Sequence, residues 1–160
     1  MGIYRDMAAG AVAGAAGTTA LNTITYLDMA VRGRPASSLP EQAAGAVSER
    51  LHVGLGEEED ARNRERGLGP MLGILTGVGV GLAYGLFRHA VRRRVSLPAA
   101  ATGVGVAAAV AGSAPMTALG LTDPREWGVG GWMSDLVPHL GYGLATVAAF
   151  ELTRSRRRRR

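Results

Sequence analysis

The stretch LGPMLGILTGVGVGLAYGLF, residues 68–87, runs 20 residues without a charge. At about 1.5 Å per residue, a helix of that length crosses the roughly 30 Å hydrocarbon core of a bilayer. Within it Gly69, Gly73, Gly77, Gly81 and Gly85 recur at every fourth position. On a helix they form one bare, slowly drifting groove where a second backbone can lie close. In water each of these glycines would cost about 1 kcal/mol against alanine. The pattern makes sense where lipid forbids unpaired backbone and close helix packing is the gain. The ladder, a glycine zipper, therefore predicts a membrane span with a partner helix, and Gly77 at its centre is expected to mark the closest contact.

Three further apolar segments follow from the same reading: residues 8–27, 97–121 and 135–152. The expected fold is a single all-α transmembrane domain over residues 1–160, an integral membrane four-helix bundle packed through small-xxx-small faces. A charged extracytoplasmic loop (28–67) and a basic tail (153–160) complete it. The first span is rich in Ala, Gly and Thr, so its insertion is expected to lean on its neighbours. Its Gly10, Gly14, Thr18, Asn22, Thr25 and Asp28 share an arc of about 120°, a stripe that should face protein. Ala99, Gly103, Ala107 and Ala111 make a second small ladder, ending where Pro115 removes a backbone donor. Gly141, Ala145 and Ala149 make a third.

Composition narrows the chemistry. The chain is 47% hydrophobic but only 5% aromatic, which excludes a large aromatic core. Cysteine is absent, which excludes disulfides, thiolate metal sites and cysteine nucleophiles. No zinc-protease, phosphate-loop or serine-hydrolase spacing occurs, and the GxG pairs lie inside spans where they cannot cradle phosphate. No enzyme, cofactor or metal is expected.

The loop 28–67 holds six Arg and eight acidic residues, too charged for the bilayer. Ser38-Leu39-Pro40-Glu41 has the spacing of a capping box, opening a short helix over about 39–51 whose Ala43, Ala44, Val47 and Leu51 share a face. A second charged helix is expected over 57–66, with Glu58 opposite Arg62 and Asp60 opposite Arg64. Arg88, Arg92, Arg93 and Arg94 make an acid-free basic turn with His89. Trp127 and Trp132 suit an interfacial belt.

Arginine counting orients the chain. The amino terminus, the middle turn and the tail share 11 of the 18 Arg, against seven in the other two connections. The positive-inside rule then puts both termini in the cytoplasm, at the inner membrane. The closing arginine run fits anionic lipid, and no reading surface for nucleic acid accompanies it. There is also an internal echo: Ala13 to Leu21 aligns with Ala111 to Leu119, and Leu82-Ala83-Tyr84-Gly85-Leu86 with Leu140-Gly141-Tyr142-Gly143-Leu144. Duplicated hairpins of this kind would be related by an axis along the membrane normal.

Through ALNTITYLDMAVRGRPAS (20–37), residues 67–81 and LTDPREWGVGGWMSDLVPHLGYG (121–143), the chain resembles small multi-pass membrane proteins of actinobacteria that carry no assigned function. The resemblance implies an actinobacterial inner membrane and supplies no catalytic residue.

Chemistry, where present, should sit at ionisable groups at membrane depth. Asp135, His139 and Tyr142 share one face of the last helix at i, i+4 and i+7. Asp135 is placed to orient His139 for proton relay or for one end of a metal site; alternatively Ser134 or Asp135 caps the helix and His139 bonds a neighbouring helix. Two function classes follow. One is a helix-packing or assembly protein whose ladders join copies of itself or other membrane proteins. The other is a small transporter or channel with a polar pathway along Thr18, Asn22, Asp135, His139 and Tyr142.

Overall fold

A computed structural model describes residues 2–91 and 95–158. Arg92, Arg93, Arg94, Arg159 and Arg160 lie outside the described residues, as do the side chains of 155–158, so most of the basic turn and tail is known only as sequence. The described residues form five α-helices: α1 (Ile3–Arg32), α2 (Leu39–Arg50), α3 (Glu58–Ala90), α4 (Leu97–Ala118) and α5 (Val129–Arg158). A single 3-10 turn, Pro124–Glu126, precedes α5, and there is no strand among the described residues.

The helix ends follow from local chemistry. Helix α1 runs past the apolar segment and stops at Gly33, whose φ of 62° is the left-handed cap that favours glycine. Helix α3 absorbs the charged segment and the apolar one into a single helix of 33 residues, with Pro70 inside. Its first turn holds Glu58, Glu59 and Asp60 and its last Arg88 and His89, each sign at the end its dipole favours. The spaced pairs form, Arg62 to Glu58 at 2.5 Å and Arg64 to Asp60 at 3.4 Å. Pro98 sits in the first turn of α4, where its missing donor costs nothing. Pro115 lies one turn from its end, and Gly120 closes it with a φ of 73°.

Two sequence expectations need correction. The capping box does not form: Ser38 sits at φ −90°, ψ 0°, not in the extended conformation a cap needs. Its hydroxyl accepts from the Gln42 side chain at 2.9 Å, and a Glu41 carboxylate oxygen is buried without a hydrogen-bond partner. Ser134 and Asp135 do not cap α5, which already begins at Val129. The Gly-rich run before them reads as loop but is helical, and Trp132 lies edge-on to Trp127 with ring centroids 5.2 Å apart. Trp127 is held in turn by its N–H, which donates to Thr122 Oγ1 at 2.8 Å.

Helix α1 packs against α3 on one side and α5 on the other; α4 packs on α5, α2 lies on α3, and α3 and α4 meet more loosely. The α1–α3 pairing is antiparallel and runs through glycine. A Cβ placed on Gly81 would lie 2.5 Å from Gly10 O and 2.6 Å from Gly14 N. One on Gly14 would lie 2.6 Å from Gly77 O and 3.0 Å from Gly81 Cα. Gly85 lies against the Asp6 carbonyl in the same way. The closest backbone approach is thus at Gly81 and Gly85. Gly77 instead faces the Thr18 side chain.

The ladder serves more than one neighbour because every fourth position drifts by about 40° per step. Gly69 faces α2, where a Cβ would meet the Pro40 carbonyl carbon at 2.7 Å. Gly73 falls in the open sector between, exposed and with nothing within 4 Å of a Cβ.

Helices α4 and α5 approach through Gly105 and Gly143, not through the two ladders singled out in their sequences. A Cβ on Gly105 would lie 2.7 Å from His139 O, and one on Gly143 would lie 2.6 Å from Gly105 N. Ala99, Gly103 and Ala107 face outward, while Ala100, Ala101, Val104, Ala108 and Ala109 are buried.

Candidate functional site

Midway along the helices α1, α3 and α5 meet around Tyr142, which is 1% exposed. Its ring fills the room that two glycines leave: a Cβ on Gly17 would lie 2.8 Å from it and one on Gly77 3.4 Å. Its hydroxyl donates to Gly77 O at 2.6 Å, tying α5 to α3. Thr18 sits beside it, also over Gly77, with its hydroxyl donating to Gly14 O of its own helix at 2.9 Å. Thr146, fully buried, meets Gly17 one turn along α5. Two candidate polar residues, Thr18 and Tyr142, are therefore brought together, and their polar atoms are spent on backbone carbonyls.

The other candidates lie apart. His139 Nδ1 is 2.7 Å from the Asp135 backbone oxygen and 3.5 Å from its carboxylate. Because a carbonyl only accepts, Nδ1 carries the hydrogen. The imidazole thus bonds within its own helix, not to a neighbour, and its Nε2 lies toward Gly112 of α4. Asn22 is half-buried on α1. Among the described residues no group of three or more His, Asp or Glu side chains is placed to hold a metal ion.

Sequence reading missed the charges at the end where α1 begins. Asp6, 4% exposed, lies 2.9 Å from His89 Nδ1 across the α1–α3 interface. Arg88 bridges to Glu151 of α5 at 2.8 Å and donates to the Tyr84 hydroxyl at 3.1 Å. Tyr84 in turn meets Phe150 edge-on, 5.2 Å between centroids. The turn that reads as acid-free draws its acids from two other helices. A usable signal was present, since each apolar segment there is bounded by ionisable residues and antiparallel helices bring those ends together.

At the opposite end Asp28 takes Arg34 Nε at 2.5 Å and Arg32 at 3.3 Å, and Arg32 also donates to Ser134 of α5 at 2.9 Å. The Arg34 hydrogen bond, with the charges of both arginines, holds the Asp28 carboxyl below the usual carboxylate range. A group depressed on folding contributes stability that is complete above its unfolded value, about 3.9, and is lost as pH falls through the folded value. An Asp28→Asn variant should therefore melt below the native protein at pH 7 and converge with it in strong acid; salt should narrow the gap at pH 7.

Two hollows accompany these groups. One, of about 670 Å³, is formed by the single segment from Thr117 to Glu126. The other, of about 240 Å³, lies between α1 and α5 beside Asp6. No protein-family model, no curated protein and no solved structure matches this chain.

Proposed function

We propose that this chain is a four-span integral membrane protein with both termini in the cytoplasm, and that it acts without catalysis by packing against other membrane helices or further copies of itself. The observation that carries this reading is an inversion of side-chain size. Small residues fill much of the interior: Gly10, Ala13, Gly14, Gly17, Gly77 and Gly81 are buried. Large apolar residues face outward on all four long helices, among them Val12 at 66%, Leu75 at 64%, Val110 at 58% and Leu144 at 66% exposed. Water-soluble folds bury such residues and rarely expose broad apolar faces, whereas lipid accepts them.

Helices α3 and α4 are by themselves long and apolar enough to cross a membrane. Helices α1 and α5 fall short on composition, through glycine, threonine and a few charges. Several of their polar groups, Thr18, Asp28, His139 and Tyr142 among them, are hydrogen-bonded within the fold, which supports insertion as part of the assembled unit. The outward ladder Ala99, Gly103 and Ala107 on α4 offers a further helix a close approach. Transport gains less support: Tyr142 closes the middle, and His139 is turned toward α4.

Single cysteines test the topology. Ser48 is buried and bonds to the Val53 carbonyl, so the exposed neighbour Glu49 is the better site, with Thr153 at the other end. Glu49→Cys should react with an impermeant maleimide on intact cells, and Thr153→Cys only after permeabilisation. Equal labelling of both from outside would sink the four-span reading.

A further inference from the structure

The hollow of about 240 Å³ between α1 and α5 is lined by Arg5, Asp6, Thr153 and Arg154, with Ala9 and Val12 running on along α1. It joins a charged rim to an apolar wall. Neither Arg5 nor Arg154 has an ion-pair partner among the described residues. The one carboxylate lining it, Asp6, is almost fully buried, with Oδ2 at His89 Nδ1 and Oδ1 without a hydrogen-bond partner, and it forms an ion pair with neither guanidinium. Arg154 is steadied by its own helix, its guanidinium carbon 5.6 Å from the centre of the Phe150 ring. Two guanidiniums from two helices thus flank one hollow and lack an anion. Their planar donor forks suit a phosphate oxygen pair better than a point charge would. The wall continues as Val12, two-thirds exposed, one to two turns along α1, where an acyl chain would lie.

We propose that this hollow binds an anionic phospholipid, its phosphate held between Arg5 of α1 and Arg154 of α5. The inference rests on the membrane reading above and adds a ligand to it. Basic pockets between helices at the cytoplasmic face are suited to such headgroups, and α3 and α5 both end on this side, where the sequence turns arginine-rich.

The test uses the full chain purified in a non-ionic detergent, titrated with short-chain phosphatidylglycerol, phosphatidylcholine of equal chain length, or inorganic phosphate, with binding read by calorimetry. Phosphatidylglycerol should bind, and the Arg5→Gln, Arg154→Gln double variant should lose about tenfold or more in affinity. Arg5→Gln alone, at an exposed side chain, should lose part of it with an unchanged melting temperature. An Arg62→Gln, Arg66→Gln control at the far end should bind as the native protein does. Equal affinity for the two lipids, full binding by both Arg5 variants, or inorganic phosphate binding as tightly as phosphatidylglycerol would each overturn the lipid site. Alkaline carbonate extraction separates the two readings. Protein that washes off membranes overturns the membrane reading itself, whereas protein that stays but shows no lipid preference overturns only the site.

Discussion

A Gly81→Leu variant should lose about 3 kcal/mol of stability, the upper range for overpacking, while Gly79→Leu on the same helix should lose none. Helix α3 meets α1 backbone to backbone at Gly81, where even a methyl carbon would sit 2.5 Å from Gly10 O and 2.6 Å from Gly14 N. Neither is the end of a flexible side chain, so relief requires the two helices to part. Parting them breaks the contacts at Gly77 and Gly85 as well, and with them the Asp6 to His89 pair. Gly79 lies two residues away with nothing within 4 Å of a Cβ. Leucine there replaces glycine in a helix, which by itself favours folding by up to about 1 kcal/mol. The two substitutions should therefore differ in sign as well as size. Circular dichroism melting in one detergent reads both, and indistinguishable melting temperatures would show that the glycine spacing is compositional accident.

Much of this was legible from residue spacing and some was not, for identifiable reasons. The glycine ladder marks α3 because one residue type recurs at one spacing in an otherwise bulky helix. In α4 the same rule selects a face turned away from α5. Alanine stands at 99, 100, 101, 107, 108 and 109, so any four-residue period finds a small ladder, and the choice of face belongs to Gly105 and its neighbour Gly143. Pairings within one helix, such as Glu58 with Arg62, follow from sequence alone. Asp6 with His89 and Arg88 with Glu151 depend on which helices are neighbours, and spacing along the chain carries no such information. The echo Leu82 to Leu86 with Leu140 to Leu144 has a physical counterpart. In each stretch the glycine after the tyrosine packs on the long helix that precedes it in the chain, Gly85 on α1 and Gly143 on α4. Each tyrosine reaches into the other half, Tyr84 to Phe150 and Tyr142 to Gly77.

Tyr142 carries the largest expected loss and also separates packing from transport. Its ring is enclosed by α1, α3 and α5, and removing it leaves a void floored by Gly17 and Gly77, which have no side chains to move in. Tyr142→Ala should therefore cost about 3–5 kcal/mol, as full truncation of a buried aromatic does. Tyr142→Phe keeps the ring and loses only the bond to Gly77 O, for about 1 kcal/mol. A packing protein should show that graded order in melting temperature and no proton or ion flux in proteoliposomes, for the native chain and both variants alike. His139 supplies the opposing result. Its Nδ1–H is spent on the Asp135 carbonyl, so His139→Gln should leave folding nearly intact. If the native protein carries a pH-dependent flux and His139→Gln abolishes it without lowering the melting temperature, the imidazole is a relay and the chain a transporter. Melting and flux measured on the same three variants therefore decide between the two classes, because only the transport reading lets function fail while the fold survives.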